Sequence, residues 1–205
     1  MKQKHLKAGN SKLHNSCLIS TLPTSICFGK GKQCKGCYAL KAEKLYPSVL
    51  PCRMRHLKET QSITFVTDLV QEIIKSKKTK VRIHESGDMY SQKYLDRWAA
   101  IAMALPNVRF YLFTKKEQLD WSAYDALPNT NRIHSVAPDG GLNYGNMERV
   151  QELKAMGYHV CPCGIEKEHY SYTLSGRKVL RNKNKICMNT CNACLYLDKV
   201  AFLKH

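Results

Sequence analysis

No apolar run in this chain approaches the roughly 20 residues needed to cross a bilayer. The basic start Met1-Lys2-Gln3-Lys4-His5-Leu6-Lys7 is followed by no apolar stretch of the secretory kind. Membrane insertion and export are therefore not expected, and the chain reads as cytoplasmic. Internal repeats and low-complexity tracts are lacking too. Acids are scarce in two places. Residues 1–58 hold twelve Lys or Arg against a single acid, Glu43. Between Glu168 and Asp198 there is no acid, but Arg177, Lys178, Arg181, Lys183 and Lys185 are present. Residues 59–125, by contrast, are nearly balanced, with ten basic and nine acidic side chains.

What is plentiful is cysteine, with ten in 205 residues. In a chain that is not exported this is not a disulfide framework; metal or redox use is the better reading. The formal charge is +17. Seven cysteines ligating as thiolates around two iron–sulfur cores would leave roughly +14. A field of that sign draws a polyanion, of which nucleic acid is the commonest; a merely soluble basic surface is the alternative. Both acid-poor segments are also the cysteine-rich ones, and cationic surroundings lower thiol pKa and stabilise anionic clusters.

The hydrophobic pattern alternates between periods of two and 3.6. Strands are expected over 15–22, Val81–His84, Val108–Phe113, Arg132–Val136 and Tyr158–Cys161. Helices are expected at 38–46 and 51–59, broken by Pro47 and Pro51, and at 62–76, where Ile63, Val66, Leu69, Val70, Ile73 and Ile74 share a face. Further helices are expected at 92–104 behind a Ser91 cap, at 117–126, and at 146–156 ending on Gly157. This order predicts an α/β protein: a partial (β/α) barrel or an open, mainly parallel sheet over residues 1–160, with a cysteine-rich, metal-bound appendix over 161–205.

Cys27-x6-Cys34-x2-Cys37 sits across a glycine-rich loop and is followed by Tyr38-Ala39. Three thiolates on a [4Fe–4S] cube leave one iron open, an arrangement suited to chemistry. Zinc, the runner-up metal, needs a fourth ligand, which His5, His14 or Cys17 could supply. A second set, Cys187-x3-Cys191-x2-Cys194, is completed by Cys161, with Cys163 spare, and would form a closed structural or relay site. Cys17 and Cys52 stand alone and read as small buried hydrophobes. The strand over 81–84 runs into Glu85-Ser86-Gly87-Asp88, and the next into Thr114-Lys115-Lys116. In parallel α/β folds ligands bind at such carboxyl ends, although a capped, hydrogen-bonded loop would look the same.

On Asn10-Ser11-Lys12-Leu13, Cys34-Lys35-Gly36-Cys37-Tyr38-Ala39, the run Val81–Ser91, the segment Pro106–Lys115, and Cys161-Pro162 with Cys187, Cys191 and Cys194, the chain resembles the phage and plasmid gene product 88 domain family. For a phage-encoded chain the compartment is the cytoplasm of the host cell. The Cys-x6-Cys-x2-Cys-Tyr-Ala spacing is also similar to phage proteins described as radical-S-adenosylmethionine-like. That likeness implies a partial barrel, a cluster on Cys27, Cys34 and Cys37, and S-adenosylmethionine on the fourth iron. Glu85, Ser86, Gly87, Asp88 and Tyr38 would be its contacts, with His84, Glu85, Asp88 and Lys115 as catalytic candidates. In that superfamily three residues, not six, separate the first two cysteines, and an aromatic precedes the last; here Gly36 does.

Three functions follow as expectations. The first is a radical-S-adenosylmethionine-like enzyme acting on nucleic acid or a nucleotide. The second is an iron–sulfur redox enzyme without S-adenosylmethionine, served by an electron donor. The third is a metal-stapled module, with iron–sulfur or zinc, that binds nucleic acid through the basic terminal segments.

Overall fold

A computed structural model describes residues 5–8, 17–27, 37–116, 118–136, 155, 159–165 and 202–203, with 134–136, 159–165 and 202–203 as backbone. It holds one sheet in strand order β1 to β7: Lys7–Ala8, Cys17–Ile19, Lys80–Ile83, Arg109–Thr114, Thr130–Val136, His159–Ile165 and Phe202–Leu203. β1 pairs antiparallel with β2; every later neighbour pairs in parallel. The expected α/β architecture with a mainly parallel sheet is present. Sequential parallel order is that of a sheet wound in one direction, which sends its helices to one face.

The helices are α1 (Tyr38–Leu45), α2 (Val49–Glu59), α3 (Phe65–Ser76), α4 (Gln92–Ala104) and α5 (Ser122–Asp125). Alternation along the strands divides the sheet into two faces. Leu18, Val81, Ile83, Phe110 and Leu112 point into one core with Phe65, Leu69 and Ile73 of α3 and Leu95, Trp98 and Ile101 of α4. Side chains of this size, fully removed from water, each stabilise the fold by about 1.5–3 kcal/mol. The opposite row, set by the register Ile19–Arg82–Tyr111–Asn131, carries Cys17, Ile19, Arg82, Tyr111, Phe113, Asn131 and Ile133. It is here called the inner face.

Several elements depart from the pattern-based reading. α2 begins two residues before Pro51, which occupies its first turn, where the missing N–H is an orphan in any case. α3 starts at Phe65, so Ile63 falls in the preceding turn and is 93% exposed. The buried stripe is Phe65, Leu69, Ile73; Ile74, one residue on, rotates out of it. Ser91 caps α4 as expected, its hydroxyl accepting from the Tyr94 N–H at 3.3 Å. At the other end the buried Asn129 amide donates to the carbonyls of Ala102, Leu105 and Val108 at 2.9–3.0 Å, satisfying the chain where the helix stops. β6 runs across the expected domain boundary at 160/161, which makes Cys161 and Cys163 strand residues of the sheet. The expected helix 146–156 lies, apart from Ala155, outside the described residues.

Candidate functional site at the carboxyl ends of the strands

After β2 the chain passes Ser20–Pro23 and a short 3-10 turn, Thr24–Ile26, which delivers Cys27. After the loop, Cys37 is the residue that opens α1. It thus stands at the N-terminus of a helix, in a segment almost free of acids. The two stems are tied to one carboxylate. Glu43 of α1 accepts from the Thr24 N–H at 2.8 Å and the Thr24 hydroxyl at 2.5 Å. It also pairs with Arg53 of α2 at 2.9 Å, and both side chains are only 6% exposed. Arg53 donates as well to the Ala39 carbonyl at 2.9 Å. Burial pushes the Glu43 carboxyl up, but its hydrogen bonds from Thr24 and its pairing with Arg53 win and hold it below the usual range. Glu43, the lone acid of the first 58 residues, is the signal that could have revealed this clamp.

The β3 end meets the start of α1. The Tyr38 hydroxyl donates a short hydrogen bond to the Glu85 carbonyl. Past the end of β2, Glu85 N–H donates to Ser20 O at 2.8 Å and Leu22 N–H to Ser86 O at 2.9 Å. The Ser86 hydroxyl returns to Leu22 O at 2.5 Å. Gly87 takes φ +80°, and a Cβ there would stand 2.6 Å from the Leu22 Cβ. Gly87→Ala is therefore expected to cost about 1–3 kcal/mol in denaturant unfolding, from strain plus the clash. A variant as stable as the parent would show that the knot yields freely.

The expected catalytic residues separate into different roles. Asp88 is buried and braces β3 to β4. One carboxyl oxygen accepts from the Met89 N–H at 2.7 Å and the Thr114 hydroxyl at 2.8 Å, and the other from the Lys115 N–H at 3.0 Å. Burial raises its pKa against these donors and nearby Lys116. His84 turns under α4. Its Nε2 lies 3.0 Å from the Tyr94 hydroxyl, the rings stack at 5.6 Å, and Nδ1 is buried without a partner among the described residues. Burial pushes the imidazole down to about 3, so it is neutral. Its φ of +65° is a strained value for a residue with a Cβ, and strain of this kind gathers at functional sites. Glu85 is the acid that faces outward: half-buried, its carboxylate makes no hydrogen bond or ion pair among the described residues. Lys115 is exposed at the end of β4, its N–H bound to Asp88. The structure thus brings Cys37, Tyr38, Glu85–Asp88 and Lys115 to one end of the sheet.

Of the metal candidates, Cys27 and Cys37 are half-buried at the loop stems. Cys161 sits in β6 opposite Ser135, in the register row of the inner face. Cys34, Cys187, Cys191 and Cys194 lie outside the described residues, as does His14. Among the described residues no group of three or more His, Cys, Asp or Glu is gathered as metal ligands. Cys17 is buried as expected, donating to Leu18 O at 3.3 Å, and burial raises its pKa. His5 pairs instead with Glu59 at 3.3 Å. Cys52 is half-buried, not buried, with Arg55 Nη2 at 3.5 Å and His56 Nε2 at 3.9 Å.

The family model described as Gene product 88 matches residues 2–137, the stretch that contains the three-cysteine loop and the ends of β2 to β5. The chain belongs to the gene product 88 family. It is 33% identical over 131 residues to the Gene 88 protein of Mycobacterium phage L5, a match covering 53% of this chain and 55% of that relative. The chain thus spans little more than half the length of that relative. Cys161 and the set Cys187–Cys194 lie beyond the family match. No solved structure matches the chain. Among the described residues no helix is long and apolar enough to cross a membrane.

Proposed function

We propose that this gene product 88 protein holds a [4Fe–4S] cluster on Cys27, Cys34 and Cys37 and acts as a radical-S-adenosylmethionine-like enzyme on nucleic acid or a nucleotide. The observation that carries the reading is the Thr24–Glu43–Arg53 clamp. It spends a buried ion pair on fixing both stems of one short loop, and that loop bears three cysteines at the carboxyl end of a sequentially wound parallel sheet. A cluster with three protein ligands supplies an open iron to which a cofactor can bind and through which an electron can pass. This chain's own residues do the rest. The Cys37 sulfur enters at a helix start, Tyr38 ties that helix to the end of β3 through the Glu85 carbonyl, and Glu85 offers a carboxylate able to receive an amino group or hold a proton. Asp88 keeps the β3 and β4 loops at fixed separation. Of the fourth ligands open to zinc, His5 is engaged with Glu59 and the buried Cys17 thiol with a carbonyl, which leaves His14, outside the described residues.

A redox enzyme without S-adenosylmethionine is the second reading. It is favoured by Cys161, which belongs to a strand of the same sheet and could start a relay from the second cysteine set. Protein made without oxygen is expected to be brown, to contain iron and sulfide in equal amounts, and to release 5′-deoxyadenosine when reduced with S-adenosylmethionine. Colourless protein without iron would remove both readings. Iron-loaded, reducible protein that forms no 5′-deoxyadenosine would leave the second.

A further inference from the structure

Arg82 stands out on the inner face. It occupies the middle of β3, in register with Ile19 and Tyr111, and its guanidinium lies 5.5 Å from the centre of the Phe113 ring. The side chain is half-buried, and its Nε is removed from water with no acceptor. It makes no ion pair or hydrogen bond among the described residues. The row around it offers none: Cys17, Ile19, Tyr111, Phe113, Asn131 and Ile133 include no carboxylate. The nearest acid along the strand, Glu85, is spaced beyond it toward the Tyr38 contact.

A cation half out of water with only an aromatic ring beside it among the described residues has its desolvation cost only partly offset. Its planar fork matches the oxygens of a phosphate or carboxylate two at a time. The aromatic wall of Phe113 holds the fork flat and takes part of its charge. Strand β3 then runs two residues onward into the His84–Asp88 knot, which Tyr38 of α1 meets at the Glu85 carbonyl.

We propose that Arg82 is the anion-binding residue of a small-molecule site on the inner face, and that it takes the phosphate or carboxylate of the molecule on which the carboxyl end of the sheet works. The assignment of that end as the working one rests on the function proposed above; the anion preference itself does not require a cluster.

The test is a calorimetric titration of the full chain, prepared anaerobically, with two matched pairs of probes. Thymidine 5′-monophosphate against thymidine reads the phosphate source; S-adenosylmethionine against its decarboxylated form reads the carboxylate source. In one pair the parent is expected to prefer the anionic member by about tenfold or more, the scale of a charge-assisted bidentate contact. Arg82→Gln is expected to abolish that preference and leave affinity for the other member unchanged. Arg82→Lys, which keeps the charge and loses the fork, is expected to retain a fraction of it, and it serves alone if the Gln variant does not fold. No preference in either pair, or a preference that both variants keep in full, overturns the proposal. Iron and sulfide measured on the same samples separate the two ideas: an Arg82-dependent preference in protein that never takes up iron would sink the cluster and keep the anion site.

Discussion

A Cys37→Ser chain prepared without oxygen is expected to lose its N-terminal cluster, dropping to about half of the parent's iron if the second cysteine set is also loaded and to almost none if it is not. Cys37 opens α1 at one stem of the cysteine loop, and the surrounding segment holds one acid, itself paired with Arg53. A serine hydroxyl cannot ionise there at neutral pH, so a three-ligand site becomes a two-ligand one, and clusters are not retained on two thiolates. Cys52→Ser is the matched control: its thiol lies between Arg55 and His56 on α2, and iron should be unchanged. Cys161→Ser should spare the N-terminal cluster, and electron paramagnetic resonance of the reduced samples tells the two apart. Iron content and spectra in Cys37→Ser equal to the parent's would show that the loop is not a ligand site.

What was readable in the sequence, and what was not, follows from the range of the forces involved. α4 was legible to the residue, because its cap, its apolar stripe and its proline stop are all local. β3 to β5 were legible because a central parallel strand needs an apolar run bounded by turn residues. β1 and β7 were not: two residues have no period, and they exist as strands only because a neighbour supplies the ladder. Ile63 was misplaced because periodicity cannot see that the preceding turn is not helical. The site divides in the same way. Cys37, Tyr38, Glu85, Gly87 and Asp88 announce themselves by type and spacing. That Asp88 is a brace and His84 a core residue stacked on Tyr94 depends on which way the chain turns after β3, and on a positive φ that composition does not encode. The Glu43–Arg53 pair lies only ten residues apart, but on two different helices, so no single helical period links its members. It left only one trace, a single acid among twelve cations. Arg82 left even less, since an arginine in a strand usually faces water.

Glu43→Gln is the substitution expected to do the most damage to the fold, by about 3–5 kcal/mol, the usual cost of stranding a buried charge. The amide keeps the shape but not the charge. It cannot accept from the Thr24 N–H, the Thr24 hydroxyl and the Arg53 guanidinium at once, and it leaves Arg53 charged and buried with the Ala39 carbonyl. Arg53→Met in the same chain should recover part of the loss, since the double variant strands nothing. Acid gives an independent signature. Glu43's folded pKa lies below its ordinary 4.5, so its contribution is complete above that value and is lost as pH falls through the depressed one. His84 acts earlier: neutral in the fold and held at about 3, it destabilises progressively as pH drops from 6.5 toward 3, because the unfolded chain takes up the proton first. Asp88, with a raised pKa, works the other way and gains on protonation. Urea midpoints measured from pH 7.5 to 3 should therefore fall in both chains from about 6.5, while below 4.5 the parent should fall more steeply than Glu43→Gln. Curves that run parallel to the lowest pH, or a variant as stable as its parent, would mean that the carboxylate is not what fixes the stems of the cysteine loop.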